Sequence, residues 1–325
     1  MQRAAEYAAP PAKHSVLLYS SKDEFVSWLA PFVSEGIEEG DAVIAVAEDG
    51  NLAALREALG DVPPSVRFVD GAAWYARGPD TMARWLAFAE GQRAAGRPRV
   101  RIIGEVVWPD DSTLHWEMKR FEASSTVAFT PRNDLVVCPY NTERLPDSII
   151  QHALETHPGV VAGGRASLND KFIEPERMVR EFLPELHEPS DGEHGRFEPF
   201  DVTSAAEFVE RQARRAGLDE LRVQNVVSAA SELAMNAFIH VGSSVHVTTW
   251  TDDAQFRCQI EDEGGGVADP GAGYYPPIGG DERWGMWLAR TRSDGLEFGT
   301  GLRGSAARLT MQRGATAAPI VISRL

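Results

Sequence analysis

Cysteine is nearly absent: the 325-residue chain holds two, Cys138 and Cys258. Each stands in an apolar, strand-like run without a second cysteine at metal-ligand spacing, which excludes disulfide scaffolds and zinc ribbons. An excess of basic residues is also missing. The formal net charge of −16 argues against a nucleic-acid backbone or an anionic membrane as the main partner and is compatible with a basic protein partner. No apolar run approaches the roughly 18 residues of a spanning helix. The Met-Gln-Arg start leads into Ala, Glu, Tyr and Pro without a continuous apolar core, so no signal peptide is expected and the cytoplasm is the expected compartment. What remains is a globular composition, 43% hydrophobic and 25% charged, with apolar material for two cores.

The first half alternates strand and helix. Strands are expected over His14–Tyr19, Ala42–Ala47, 66–69, 100–107 and 135–140. Helices are expected from the Ser21–Glu24 capping box onward, with Phe25, Trp28, Leu29, Phe32 and Ile37 inward, and over 52–59, 81–95, 114–124 and 148–156. Strands separated by helices of this length imply a doubly wound, mostly parallel sheet covered on both faces. Such sheets bind ligands beyond the carboxyl ends of their strands. Here the first strand–helix loop, Ser20-Ser21-Lys22-Asp23, has no glycine of a phosphate loop or a G-x-G-x-x-G turn, so nucleotide is not expected there. The polar residues near strand ends, His14, Tyr19, Glu105, Cys138 and Tyr140, read either as a sensory pocket for a small molecule or as groups that cap ordinary loops.

Residues 166–197 change character: Gly, Pro, Asp and Ser interrupt every pattern, and the segment reads as a linker between domains at 13–165 and 198–313. Beyond it, two helices are expected over 203–217 and 219–241. The second carries Ser231-Glu232-Leu233-Ala234-Met235-Asn236-Ala237. Glu232 and Asn236 lie four residues apart and share one helical face. That pair is either a solvated face or a working one. A carboxamide oxygen suits a hard divalent cation, and a carboxylate can accept a proton. A hairpin follows, and its second strand delivers Asp262 into Gly264-Gly265-Gly266. A carboxylate there can accept from an exocyclic amine, and the glycines admit a ligand against the backbone. Next comes an aperiodic loop over 268–281, long enough to be a lid. It ends at Glu282-Arg283-Trp284-Gly285-Met286-Trp287, where a helix N-terminus with Arg283 beside it makes an anion site.

These motifs carry two resemblances. In the first half, H-x-x-x-x-Y from His14, F-x-x-x-G-I-E-x-G-D from Phe32, R-x-I-G-E from Arg101, C-P-Y-N-x-x-x-L-P from Cys138 and the later His157-Pro158 resemble the MEDS sensory domain. That family is similar to RecA- and KaiC-like folds without the phosphate loop, and the resemblance implies a small-molecule sensor. In the second half, the helix, strand-to-loop and loop-to-helix motifs resemble, in order and spacing, the GHKL ATPases, an α/β sandwich with helices on one face of a mixed sheet. Ser-Glu-Leu-Ala-Met-Asn-Ala and Glu-Arg-Trp-Gly-Met-Trp are most similar to anti-sigma-factor serine kinases of the RsbW type. The resemblance implies ATP and Mg²⁺ as cofactors, with Glu232 as general base and Asn236 holding Mg²⁺ on the phosphates. It also implies that Asp262 reads adenine and that Gly264, Gly266 and Gly285 shape the pocket. Ser305 sits where the family often has threonine, and Trp287 where better-known members have the second glycine of a G-x-G.

The two-domain order resembles the RsbA family of anti-sigma regulators. It implies a sigma factor and an anti-anti-sigma (STAS) protein as partners, and a homodimer through the ATPase domain. Two other readings stand beside this one: a nucleotide-gated module that binds sigma without phosphorylating anything, and a histidine kinase. The last needs a helical hairpin bearing a phospho-accepting histidine ahead of the ATPase motifs, and residues 198–219 contain no histidine.

Overall fold

A computed structural model of the chain describes residue 7 and residues 9–75, 78–108, 115–181, 183–267, 269–275 and 284–314. The chain divides into two compact units, Met1–Pro175 and Glu176–Leu325. Among the described residues no helix is long and apolar enough to cross a membrane.

The first unit is built on strands β1 (His14–Tyr19), β2 (Ala42–Ala47), β3 (Val66–Asp70), β4 (Val100–Gly104), β5 (Leu135–Asn141), β6 (Gly159–Ala162) and β7 (Arg165–Leu168). They lie in the order β3-β2-β4-β5-β1-β6-β7, parallel throughout except for the β6–β7 pair. Every residue of β2 is buried, as a strand covered on both faces demands. Helices α1 (Lys22–Glu38) and α2 (Asp49–Leu59) bury Phe25, Leu29, Phe32 and Leu52 against Leu17, Val43, Ala45 and Val137. Ser21 caps α1 by accepting from the Glu24 amide, as the capping box predicts. The strand expected over 100–107 stops at Gly104; the Glu105 amide still donates to the Val46 carbonyl of β2 at 2.8 Å, and its side chain makes the bonds described below. After β3 come α3 (Gly71–Tyr75) and α4 (Gly78–Ala94); the helix expected to end at residue 124 continues as α5 (His115–Phe129), and α6 (Asp147–Thr156) follows β5.

One charge cluster around the buried Arg101 ties β4 to Glu35 of α1 and to Glu39 and Asp41 between α1 and β2. The Arg101 guanidinium, 1% exposed, donates to Asp41 Oδ2 at 2.8 Å, Glu35 Oε2 at 2.6 Å and Glu39 Oε2 at 2.6 Å. It also donates to the Phe32 carbonyl at 3.0 Å. Gly36 leaves the room: a Cβ there would stand 2.8 Å from Arg101 Cδ. Removing one member of such a cluster strands a buried charge. Arg101→Met should therefore destabilise the first unit by about 3 kcal/mol, the low end for a broken buried pair, because Arg99 still reaches Asp41. Denaturant midpoints of the first unit's transition check this, and a shift below about 1 kcal/mol contradicts it.

The second unit is a five-stranded sheet in the order β11 (Gly295–Thr300), β12 (Ser305–Gln312), β10 (Gln255–Asp262), β9 (Val245–Thr251) and β8 (Glu193–Phe197). All four ladders are antiparallel; the mixed character is one parallel bridge, Glu185 to Thr300. Helices α8 (Val202–Arg215), α9 (Glu220–His240) and α10 (Trp284–Thr291) pack a shared core with Phe256, Ile260, Phe298 and Leu309 of the sheet. Strand alternation sends Gln259 and Glu261 to the other face, where both are buried.

The segment expected as a linker over 166–197, within which residues 177–186 could form a short helix, carries structure of its own. Its first residues pair as β7, its last form the edge strand β8, and α7 (Pro175–Glu181) lies between. Residues 184–188 then cover the second sheet: the Leu186 amide donates to the Thr300 carbonyl at 2.7 Å, Gln259 donates to the Leu186 carbonyl at 3.0 Å, and Glu188 accepts from Arg303 at 3.1 Å. Turn-forming residues stop regular structure, but a sheet face can still satisfy the backbone of an irregular stretch.

Candidate functional site

Asp219 opens α9 by accepting from the Arg222 amide at 2.9 Å, and Gly242 closes it in the left-handed region at φ 74°. Val223, Val226, Ala230, Leu233, Ala237 and Phe238 are buried along one stripe. Glu232 and Asn236 stay half-buried beside that stripe. The partner of this face is Gly285, at the start of α10. A Cβ on Gly285 would stand 2.7 Å from Glu232 Oε2 and 3.5 Å from Asn236 Nδ2. The first and third motifs thus meet where only glycine leaves the carboxylate in place. Trp287 is buried, but two residues turn it about 200° around the helix from Gly285. Its ring meets Trp284 edge-on at 5.6 Å.

Asp262, the last residue of β10, lies opposite Ser305 in the β10–β12 ladder. Its Oδ1 accepts from the Gly264 amide at 2.6 Å and from the Ser305 hydroxyl. Both bonds fall on one oxygen and fix the carboxylate plane. A Cβ on Gly264 would come within 2.6 Å of that oxygen and 2.9 Å of Val241 Cγ2. Gly266 has φ 95°, which few side chains tolerate. Gly304 was not among the expected site residues, yet its φ is 144° and a Cβ there would lie 2.5 Å from the Asp262 carbonyl. Arg283 and residues 276–281 of the expected lid lie outside the described residues. The lid's earlier part, residues 269–275, folds onto α10: Tyr274 is buried under the Arg290 guanidinium at 4.0 Å, and a Cβ on Gly273 would stand 2.9 Å from the Met286 carbonyl.

These residues fit a magnesium-bound purine nucleotide. A carboxylate oriented by two donors stands at a strand end, glycines strip the adjoining backbone of Cβ atoms, and a carboxamide and a second carboxylate sit together at a helix start.

In the first unit, the five residues expected in one pocket fall on opposite faces of the sheet. His14 and Tyr19 are five residues apart on one strand, and an odd separation sends their side chains opposite ways. On the α1–α2 side, Tyr19 donates to Glu105 Oε1, and Asn51 Nδ2 donates to both Glu105 oxygens at 2.9 and 3.1 Å. The Glu48 amide adds a bond to Glu105 at 2.9 Å. Burial, reinforced by the Glu105 charge, pushes the Tyr19 phenol well above its usual range, so it stays a neutral donor. This group satisfies itself.

On the other face, β1 and β5 run in register with Val16 beside Cys138, which places His14, Cys138 and Tyr140 on one side. Two residues that sequence reasoning did not place in the site, Glu122 of α5 and His157 after α6, join them, all buried. Burial, with the His157 ring alongside at 4.1 Å, holds His14 well below the usual histidine range. Burial and then the Glu122 charge raise the Cys138 thiol. No local sequence signal marks Glu122: on α5, Glu122, Ser124, Ser125 and Thr126 are all buried, and only tertiary packing makes them so.

Comparison with known families agrees with this division. Residues 13–158 match the model of MEDS, the methanogen/methylotroph, DcmR sensory domain. Residues 196–312 match the histidine kinase-like ATPase domain. No curated protein matches the chain. The chain thus joins a segment similar to the MEDS sensory domain to one similar to the histidine kinase-like ATPase domain.

Proposed function

We propose that the protein is an anti-sigma-type serine/threonine kinase. It would use Mg-ATP to phosphorylate a hydroxyl on an anti-anti-sigma partner of the STAS type and bind a sigma factor as its other client, under control of the MEDS domain. The observation that carries this reading is the closeness of Glu232 and Asn236 to the point where a Cβ on Gly285 would stand, which sets a base and a cation ligand together at a helix start. Bound Mg-ATP supplies the phosphoryl group. Asn236 Oδ1 would hold the cation, and the amides opening α10 would donate to the phosphate oxygens. Asp262, with Oδ1 already occupied by Gly264 and Ser305, offers Oδ2 to the adenine amine. Glu232 takes the proton from the partner's hydroxyl at Oε2. In such transfers the protein mainly positions groups and neutralises charge.

The histidine-kinase reading is disfavoured by α8. This helix buries Phe208, Val209 and Ala213 in the domain's own core, so it is not free to form a dimerising hairpin. The deciding experiment mixes the full chain, Mg-ATP and a STAS domain encoded beside it. A mass gain of one phosphoryl group on the STAS domain is expected. A nucleotide-dependent complex without that gain favours the binding module instead. Asn236→Ala should weaken binding of a Mg-bound, non-hydrolysable ATP analogue about 10- to 100-fold, the scale of one lost ionic contact. Calorimetry checks this, and unchanged affinity removes Asn236 from the site.

A further inference from the structure

We propose that His14, Glu122, Cys138 and His157 form a four-coordinate zinc site inside the MEDS domain. The residues come from β1, α5, β5 and the end of α6, and their ligand atoms lie within 4.8 Å of one another, all buried. Hydrogen bonds fix both imidazoles with the same edge inward. His157 Nδ1 lies 2.7 Å from the Ala153 carbonyl, which can only accept, so Nδ1 carries a proton and, in the neutral ring, Nε2 carries a lone pair. His14 Nδ1 lies 2.8 Å from the Thr126 hydroxyl, which itself donates to the Thr156 carbonyl at 3.2 Å. His14 therefore also turns a lone pair at Nε2 inward, 3.5 Å from Cys138 Sγ.

The His157 lone pair faces another acceptor. Its Nε2 stands 3.3 Å from Glu122 Oε2, and neither atom has a hydrogen-bond partner although both residues are fully buried. Two acceptors opposed in a dry interior repel each other unless a proton or a metal cation lies between them. The spacing suits one. Zinc bonds of 2.0–2.3 Å in a tetrahedron separate neighbouring ligands by about 3.3–3.8 Å, the range in which both measured pairs fall. The donor set, one thiolate, two imidazoles and one carboxylate, suits zinc over harder cations. Two anionic ligands also balance its charge, so the buried centre is neutral overall. Binding releases the Cys138 proton to solvent. Thr126 and the Ala153 carbonyl then act as the outer partners that orient metal-bound imidazoles.

An organic effector does not fit in the same place. The cavity beside Glu122 and Cys138, walled by Tyr75, Trp85, Phe121 and Phe129, measures about 10 Å³, room for about one water.

The full-length protein, with any affinity tag removed, should contain one zinc per chain by elemental analysis. Stripped with a chelator and titrated with cobalt(II), it should develop a thiolate-to-cobalt charge-transfer band and the strong visible absorption of four-coordinate cobalt. Cys138→Ser should abolish the charge-transfer band, and Tyr140→Phe, on the same sheet face but outside the ligand set, should keep it. Thr126→Val leaves all four ligands in place and should weaken cobalt binding about 10- to 100-fold. Wild-type protein that holds no zinc and takes up no cobalt overturns the proposal, whether or not the variants fold. So does a cobalt spectrum that survives Cys138→Ser.

Discussion

Glu232→Gln should lower phosphoryl transfer to the STAS partner by about 10²–10⁴-fold, the usual contribution of a positioned general base, while nucleotide affinity stays close to wild type. Glutamine keeps the shape of the side chain and its place beside Gly285, so α9 and the pocket wall keep their form. What disappears is the ability to take a proton. The substitution therefore separates chemistry from binding: single-turnover transfer collapses, whereas calorimetry with a non-hydrolysable analogue changes little. A nucleotide-dependent complex with the partner should still form. Transfer at an unchanged rate would show that another group accepts the proton. Lost nucleotide binding would show that Glu232 serves the cation or the pocket wall instead of the hydroxyl.

How much of this was legible in the sequence depends on the range of the interaction. Glu232 and Asn236 share a helical face because of a four-residue spacing that any α-helix imposes, and Asp262 ends a strand whose alternation is plain. Both could be read locally. The reason for Gly285 could not, since the atoms that exclude a Cβ belong to a helix some 50 residues earlier in the chain. Gly304 escaped for the same cause: the Asp262 carbonyl that crowds it lies across a ladder. In the first unit one local rule was available and went unused. His14 and Tyr19 differ by an odd number on one strand and cannot line one pocket. Glu122 and Thr126 were hidden differently, because polar residues on a helix read as solvent-facing until tertiary packing buries them. The short strands β6, β7 and β8 carry glycine, serine or charge. Their pairing partners, not their propensities, make them strands.

Gly285→Ala should lower transfer about 10²-fold, the penalty of displacing a catalytic group by roughly 1 Å, with little change in thermal stability. The backbone at Gly285 is not left-handed, so alanine can adopt it. Its new Cβ, however, would stand 2.7 Å from Glu232 Oε2. That oxygen ends a flexible, half-buried side chain, and the carboxylate will swing aside before either helix moves. Asn236 Nδ2, at 3.5 Å, is in ordinary contact, so nucleotide affinity should change by much less than the rate. The argument makes a sharper demand in a double-mutant cycle. With Glu232→Ala already present, there is no carboxylate to displace, and adding Gly285→Ala should cost almost nothing further. The coupling between the two positions should then approach the whole single-site effect, about 2.7 kcal/mol for a hundredfold loss. Full additivity would mean that alanine at 285 acts on the approach of phosphate to the α10 amides, and the contact with Glu232 would lose its mechanistic role.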